Sequence, residues 1–220
     1  MSRATAAYVA PFVVFVLLMS FLPLLGVGPE FSYPARSMAA LAVWWVLSRG
    51  LFTWRPRQAL ASVALGVFVF AVWVAPDVLW PGYRQNWLFE NALTGAARST
   101  AGVSLRSDLV FLGFRVLGSV LVVPVIEELF WRGWLMRWLV RSDFERVPLG
   151  AYVPRAFWVT AVLFGLEHGP YWDVGLAAGV AYNWWMVRTK SLADCVLAHG
   201  VTNGCLAGYV LAGGDWSYWL

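Results

Sequence analysis

Ionisable side chains able to do acid–base chemistry lie in apolar stretches of this chain rather than in loops. The chain has two histidines, His168 and His199, and both fall in apolar segments. The carboxylates of Glu127 and Glu128 follow directly on the apolar run 120–126. Such groups are costly at membrane depth and tend to be functional there. They could activate water, transfer protons or bind a metal ion.

The depth of these groups can be estimated from basic residues in the same segments. The reference positions, placed at one membrane interface, are Arg137, Arg155 and Lys190. A rise of about 1.5 Å per residue then puts Glu127 about 15 Å, His168 about 20 Å and His199 about 14 Å deep. Because the hydrocarbon core is about 30 Å thick, three groups on three helices meet near its middle. We expect them to line one cavity.

Spacing within one helix separates the roles of the two glutamates. Glu128 and Arg132 are four residues apart, so they share a helix face and are expected to form an ion pair. Glu127 points about 100° away and is left free of that arginine. The spacing favours a structural role for the pair and a functional role for Glu127. Pro124, one turn earlier, predicts a kink.

Two further pairs have the same four-residue spacing. Phe164 precedes His168, and Asn203 follows His199. The second pair places an imidazole beside a carboxamide on one helix face. Asn183 and Arg115 do not belong to such a pair in the sequence, and both are interpreted as structural.

The composition places these residues in a membrane protein. Of the 220 residues, 60% are apolar and 13% are charged, whereas soluble domains carry about 25% charged residues. The mean hydropathy is +0.66. The net charge of +4 is scattered between apolar runs, which argues against nucleic acid as a partner.

Seven apolar segments predict an all-α polytopic membrane protein, a bundle of about seven helices with six to eight possible. They cover residues 6–25, 35–47, 58–75, 109–132, 154–168, 171–187 and 192–211. The chain is expected to form one domain, 1–220. Between 76 and 108, an interfacial helix is possible. Its apolar face would comprise Trp87, Leu88, Ala92, Leu93 and Ala96.

The distribution of basic residues predicts the orientation, because they concentrate on the cytoplasmic side. An inside N-terminus leaves ten on that side: Arg3, Arg49, Arg55, Arg57, Arg137, Arg141, Arg146, Arg155, Arg188 and Lys190. The opposite side then receives four: Arg36, Arg84, Arg98 and Arg106. The bias favours seven spans with the N-terminus inside.

The same residues resemble the motifs of the CPBP or Abi family, which includes the type II CAAX prenyl endopeptidases. Residues 127–132, EELFWR, match its E-E-x-x-x-R motif. Residues 164–168, FGLEH, match F-x-x-x-H, and residues 199–203, HGVTN, match H-x-x-x-N. Each motif alone is weak, but all three occur in order, each in an apolar segment. The resemblance covers about 109–211.

The resemblance implies an intramembrane endopeptidase that acts on a membrane-anchored protein or peptide. By motif, Glu127 would activate water and His168 would help to orient it. His199 and Asn203 would stabilise the oxyanion, while Glu128 and Arg132 would maintain the site. The arginine-rich composition favours a bacterial cytoplasmic membrane, where prenylated substrates are not expected.

Three alternatives remain open at this point. Glu127, His168 and His199 could hold zinc with an open water position, although the H-E-x-x-H helix of soluble zinc proteases is absent. We favour a mechanism without a cofactor. The buried residues could instead form an ion or proton path in a transporter, but no internal repeat is visible. The chain could also be a non-catalytic, chaperone-like membrane protein.

Overall fold

Helices form the regular structure of the protein over the residues that the computed structural model describes, 2–51 and 53–219. One isolated β-bridge joins Asn91 and Gly95 within those ranges. The helices are α1 (Arg3–Leu24), α2 (Pro29–Leu47), α3 (Ala59–Leu79), α4 (Leu109–Trp138), α5 (Pro154–Glu167), α6 (Trp172–Thr189) and α7 (Leu192–Gly213). The all-α prediction is confirmed, and each helix coincides with one predicted segment.

Four of the described helices, α1, α3, α4 and α7, are long and apolar enough to cross a membrane. The other three do not meet that criterion. α5 has 14 residues and is about 21 Å long, shorter than the hydrocarbon core of about 30 Å. α2 carries Glu30 and Arg36. Half of α6 is buried by protein, including Asn183, so this helix need not be uniformly apolar.

The largest difference from the predicted segments concerns α2. This helix begins at Pro29, six residues before the predicted start, with Gly28 as its N-cap. Proline suits a first helical turn because its missing N–H would have no partner there. Arg36, which the sequence placed at the start of this segment on the outer side, therefore lies two turns into the helix.

The interfacial helix that the sequence made possible between 76 and 108, with Trp87, Leu88, Ala92, Leu93 and Ala96 on its apolar face, does not form. Residues 80–102 form turns. Gly82 and Gly95 have φ values of 83° and 77°, and the side chain of Asn91 accepts hydrogen bonds from the backbone N–H groups of Leu93 and Thr94. These turn residues fix the backbone locally, whereas the apolar spacing alone was compatible with a helix.

α4 lies at the centre of the bundle. α1 packs along α2, α3 along α7, and α5 along α6, and α4 contacts α1, α2, α5 and α7. π-helical turns at Gly118–Val122 and Leu129–Leu135 flank its middle part, Val123–Glu128. Pro124 cannot donate a backbone hydrogen bond, and the upstream π turn lies where a kink was predicted. Such turns are frequent at functional sites.

α3 and α7 approach each other closely. A Cβ atom at Gly66 of α3 would collide with the Ala198 carbonyl oxygen and the Val201 side chain of α7. Glycine is therefore required for this contact, one residue before His199.

Asp194 of α7 holds the beginning of α3. Its carboxylate accepts hydrogen bonds from the backbone N–H groups of Arg57 at 2.8 Å and Gln58 at 2.7 Å, and from the Ser62 hydroxyl at 3.0 Å. Both N–H groups lie just before the first helical residue, Ala59. Asp194 therefore anchors the beginning of α3 from a neighbouring helix.

Arg84 ties the loop between α3 and α4 to the bundle. Its buried guanidinium pairs with Asp77 at 3.0 Å and Asp173 at 2.9 Å and donates to the Pro170 carbonyl. Tyr218 donates to Asp77 at 3.1 Å. Burial alone would lower the pKa of Arg84, but the hydrogen bonds and charges of Asp173 and Asp77 raise it above its usual value. The cluster fixes this end of the bundle, called here the loop end.

Candidate active site

Glu127 presents an unpaired carboxylate oxygen from the middle of α4. Its side chain is buried, and Oε2 has no hydrogen-bond partner among the described residues. Buried polar atoms nearly always have a partner, so an orphan of this kind calls for an explanation. His199 Nε2 lies 4.0 Å from this oxygen, which is too long for a hydrogen bond. A small molecule between these two atoms could bond to both.

Glu128 has two hydrogen-bond partners on one oxygen, whereas its Oε2 has none among the described residues. Its Oε1 accepts a hydrogen bond from Arg132 Nη1 at 3.0 Å and another from His199 Nδ1 at 2.9 Å. The predicted ion pair within one helix is therefore present. The bond to His199 was not predicted, and it fixes the imidazole from behind.

Arg132 is fully buried and held from three helices. Its Nε donates to Asn183 Oδ1 at 2.9 Å, and Asn183 in turn donates to the Phe157 carbonyl at 2.8 Å. Its guanidinium lies 4.4 Å from the centre of the Phe164 ring. These contacts join α4, α5 and α6 and supply the buried charge with partners, as a buried ion requires.

Both histidines use Nδ1 within the protein and leave Nε2 for the cavity. His168 Nδ1 lies 2.7 Å from the Phe164 carbonyl oxygen. Because a carbonyl only accepts, this Nδ1 carries a proton, and Nε2 of neutral His168 is an acceptor. His199 Nδ1 donates to Glu128 in the same manner. Its Nε2 can therefore donate only when the ring is an imidazolium beside the Glu128 carboxylate.

Asn203 completes the group. One N–H of its carboxamide donates to the Ser119 carbonyl at 2.8 Å, and a carboxamide has a second N–H to offer. A cavity of about 160 Å³ brings together Glu127, His168, His199 and Asn203. Its wall also includes Trp73, Arg115, Ser119, Val123, Phe164, Ala178, Tyr182, Thr202, Leu206, Tyr218 and Trp219. The structure thus places the four residues singled out for chemistry around one space.

The residues present do not form a metal site in this structure. Among the described residues, no group of three or more His, Cys, Asp or Glu side chains is arranged to hold a metal ion. Catalytic zinc needs three protein ligands at about 2.0–2.2 Å. Glu127, His168 and His199 do not form such a set in this arrangement.

Sequence reasoning missed several residues that shape the cavity. The Tyr182 ring stacks on His199 with centroids 5.1 Å apart, and its hydroxyl donates to Thr202 at 2.7 Å. Asn183, interpreted as structural, holds Arg132. Arg115, also interpreted as structural, lines the cavity itself. No local motif marks these positions, although a charged residue in an apolar helix was a usable signal for Arg115.

A second, larger cavity lies on the other side of α4. Its volume is about 960 Å³, and its lining from α2, α4 and α7 is almost entirely apolar. The π turn at Gly118–Val122 forms part of the wall between the two spaces. Gly118 and Val122 face the apolar cavity, while Ser119 and Val123 face the cavity with Glu127.

Comparison with known proteins finds a similarity in the motif-bearing part of the chain. No curated protein and no solved structure matches the chain. Residues 109–205 match the family model described as type II CAAX prenyl endopeptidase Rce1-like. That range contains Glu127, His168, His199 and Asn203. Over residues 109–205, the chain is therefore similar to the type II CAAX prenyl endopeptidases of the Rce1-like family.

Proposed function

We propose that this protein is an intramembrane endopeptidase that hydrolyses a peptide bond of a membrane-anchored protein or peptide, with Glu127 as the general base. The observation that carries the proposal is the orphaned Glu127 Oε2, buried in a cavity that it shares with two histidines and Asn203. The match of residues 109–205 to the type II CAAX prenyl endopeptidase Rce1-like family model supports the reaction class.

Glu127 and His168 suit the activation of water. A water molecule can donate one proton to the Glu127 carboxylate and the other to Nε2 of neutral His168, which leaves an oxygen lone pair for the substrate carbonyl. Glu127 takes the proton as the new C–O bond forms. It then gives that proton to the amide nitrogen as the C–N bond breaks, so the products are a carboxylic acid and an amine.

His199 and Asn203 suit the stabilisation of the tetrahedral intermediate. Protonated His199 has an Nε2–H on the cavity side, and Asn203 has its second N–H. Donors fixed in a site that excludes water stabilise a developing oxyanion strongly. Glu128 and Arg132 hold His199 in position through the contacts described above and take no direct part.

The proposal includes no cofactor and places the protein in a bacterial cytoplasmic membrane with its N-terminus inside. The long apolar helices establish an integral membrane protein. The orientation rests on the excess of basic residues at one end of the helices. The partners are the lipid bilayer and a membrane-anchored polypeptide; nucleic acid is not among them.

The experiment that tests the function compares the membrane polypeptides of cells expressing wild type, Glu127→Gln or Glu145→Gln. Glu145 is exposed and lies outside the cavity, so its variant controls for a lost glutamate charge. New polypeptide N-termini, identified by terminal labelling and mass spectrometry, should appear with wild type and Glu145→Gln. The uncleaved polypeptide should accumulate with Glu127→Gln. The same new termini with Glu127→Gln would contradict the proposal.

A further inference from the structure

The loop between α3 and α4 exposes large apolar side chains at its tip, defined here as residues 86–95. Trp87 is 76% exposed, Leu88 is 44% exposed and Leu93 is 97% exposed. All three belong to the apolar set that made an interfacial helix possible, and they are exposed although the helix does not form. Single exposed apolar side chains need no explanation, but several within one short turn indicate contact with another apolar surface or phase.

The backbone of the loop tip finds hydrogen-bond partners within the protein. The Asn91 side chain donates to the Trp87 carbonyl at 2.7 Å and accepts from the backbone N–H groups of Leu93 at 2.8 Å and Thr94 at 3.1 Å. The Thr94 hydroxyl donates to the Phe89 carbonyl at 2.9 Å. Because lipid offers no partners, backbone groups that approach it need partners of this kind. The loop tip thus combines paired backbone groups with exposed apolar side chains.

Contacts with α6 hold the loop tip in place. The indole N–H of Trp172 donates to the Leu88 carbonyl at 3.0 Å. The Phe89 ring is buried and contacts the rings of Tyr83 and Trp172, with centroids 4.8 Å and 5.9 Å away. Phe89 therefore fixes the loop tip from the protein side while its neighbours Trp87 and Leu88 stay exposed. Trp172 opens α6 just after the turn that follows the α5 helix, so the loop tip also braces that turn.

The exposed loop tip continues the apolar surface of the two membrane helices that it joins. α3 has 21 residues and is about 31 Å long, so a hydrocarbon core of about 30 Å ends near Leu79. Leu79 is exposed, as are Trp80 directly after α3 and Leu109 at the start of α4. Tryptophan is enriched at this boundary because its ring is apolar and its N–H is polar. The loop therefore leaves and re-enters the bundle where headgroups meet acyl chains.

We propose that the loop tip inserts into the boundary between headgroups and acyl chains of the leaflet at the loop end, with Trp87 and Leu93 in contact with lipid. Interfacial helices bury their apolar face about 5–10 Å deep in this boundary, and the paired backbone allows a non-helical turn to do the same. The exposed ion pair of Glu90 and Arg98, 3.2 Å long, keeps the insertion shallow because charges are costly in the hydrocarbon. The inference does not depend on the peptidase activity.

Collisions of a nitroxide spin label with oxygen, which concentrates in lipid, or with a water-soluble nickel chelate locate the loop tip. Trp87→Cys, Leu93→Cys and Arg98→Cys proteins are labelled in nanodiscs, and the parent protein gives the background from its own two cysteines. We expect the labels at 87 and 93 to collide more with oxygen than with the chelate, and the label at 98 to show the reverse. More chelate than oxygen collisions at 87 and 93 would place the loop tip in water, and protection from both reagents would indicate a protein partner; either result would overturn the proposal.

Substitutions then test whether these two side chains cause the insertion. With the label at Ala92→Cys, the double substitution Trp87→Ser and Leu93→Ser should shift collisions from oxygen to the chelate, because the apolar groups that favour lipid are gone. Trp158→Ser is the matched control, since Trp158 is an exposed tryptophan of α5 outside the loop, and it should leave the collision ratio at position 92 unchanged. The same ratio in the double variant as in the parent would contradict the proposal.

A thermal melt of each variant separates loss of insertion from loss of folding. Trp87 and Leu93 are mostly exposed, so their replacement removes few contacts within the protein and the variants should melt at the parent temperature. If the double variant does not fold, Leu93→Ser alone replaces it, with the same expected shift toward the chelate. The outcome is also distinct from the test of the proposed function, because a protein that cleaves nothing can still show lipid contact at the loop tip.

Discussion

Glu128 illustrates how one buried residue can serve both stability and the site. Its Oε1 accepts hydrogen bonds from Arg132 and from His199, and the residue is fully buried. The ion pair keeps a charge inside the bundle, and the bond to His199 sets which imidazole nitrogen faces the cavity. Such an arrangement couples folding to the geometry of the site, because loss of Arg132 disturbs both.

Removal of Arg132 is expected to destabilise the fold. Arg132→Ala leaves the Glu128 carboxylate buried with His199 as its remaining partner at Oε1, and breaking a buried pair from one side costs about 3–5 kcal/mol. Arg146→Ala is the matched control, because Arg146 pairs with Asp143 on the surface, where a pair contributes about 0–1 kcal/mol. Unfolding in mixed micelles measures both. An Arg132→Ala protein as stable as wild type but inactive would argue for a direct role in catalysis.

The histidines allow a test of metal dependence. If Glu127 activates water without a metal ion, purified wild type should contain no stoichiometric zinc. Chelators should then not inhibit it specifically. Elemental analysis of wild type, His168→Ala and His199→Ala measures this directly. About one zinc per chain in wild type, lost in both variants, would replace the proposed mechanism with a zinc-dependent one.

At the scale of helices, the site depends on the interruptions of α4 and on the close approach of α3 to α7. The π turns on both sides of Val123–Glu128 set the direction of Glu127 and Glu128. Gly66 lets α3 come close enough for its carbonyl to accept a hydrogen bond from Thr202 at 2.9 Å. Thr202 in turn accepts from Tyr182, which stacks on His199.

A methyl group added between α3 and α7 should therefore alter the geometry of the site. Gly66→Ala places a Cβ against the Ala198 backbone, and such overpacking costs about 1–3 kcal/mol. Because Ala198 precedes His199, we also expect slower turnover. Gly208→Ala on α7 is the control, since its Cβ would meet no atom within 4 Å. Melting temperature and turnover are compared for both; equal values for Gly66→Ala and wild type would contradict this account of the contact.

The sequence predicts the helices well because their apolar segments are long and end at proline, glycine or arginine. It also points to Glu127, His168, His199 and Asn203 of the cavity, since the depth estimate covers the first three and the motifs cover all four. The contacts of Asn183 and Arg115 depend on which helices become neighbours, and their local sequence carries no information on that. Turn-forming residues determine the backbone conformation of 80–102, where the apolar spacing alone was compatible with a helix.

For the whole molecule, the orientation in the membrane is a prediction that labelling can check. With the N-terminus inside, Arg98 in the α3–α4 loop lies outside and Arg141 after α4 lies inside. An impermeant maleimide added to intact cells should label Arg98→Cys and not Arg141→Cys. The parent protein, whose Cys195 is buried and Cys205 partly buried, gives the background. Labelling of Arg141→Cys alone would reverse the orientation.

The central claim is that Glu127 activates the water that cleaves a peptide bond within the membrane. Its most direct test is the turnover of purified wild type, Glu127→Gln and Glu145→Gln in nanodiscs, with the polypeptide that accumulates in Glu127→Gln cells as substrate. We predict that Glu127→Gln is slower by about 10²–10⁴-fold, melts at the wild-type temperature, and that Glu145→Gln cleaves at the wild-type rate. Cleavage by folded Glu127→Gln at the wild-type rate would contradict the account.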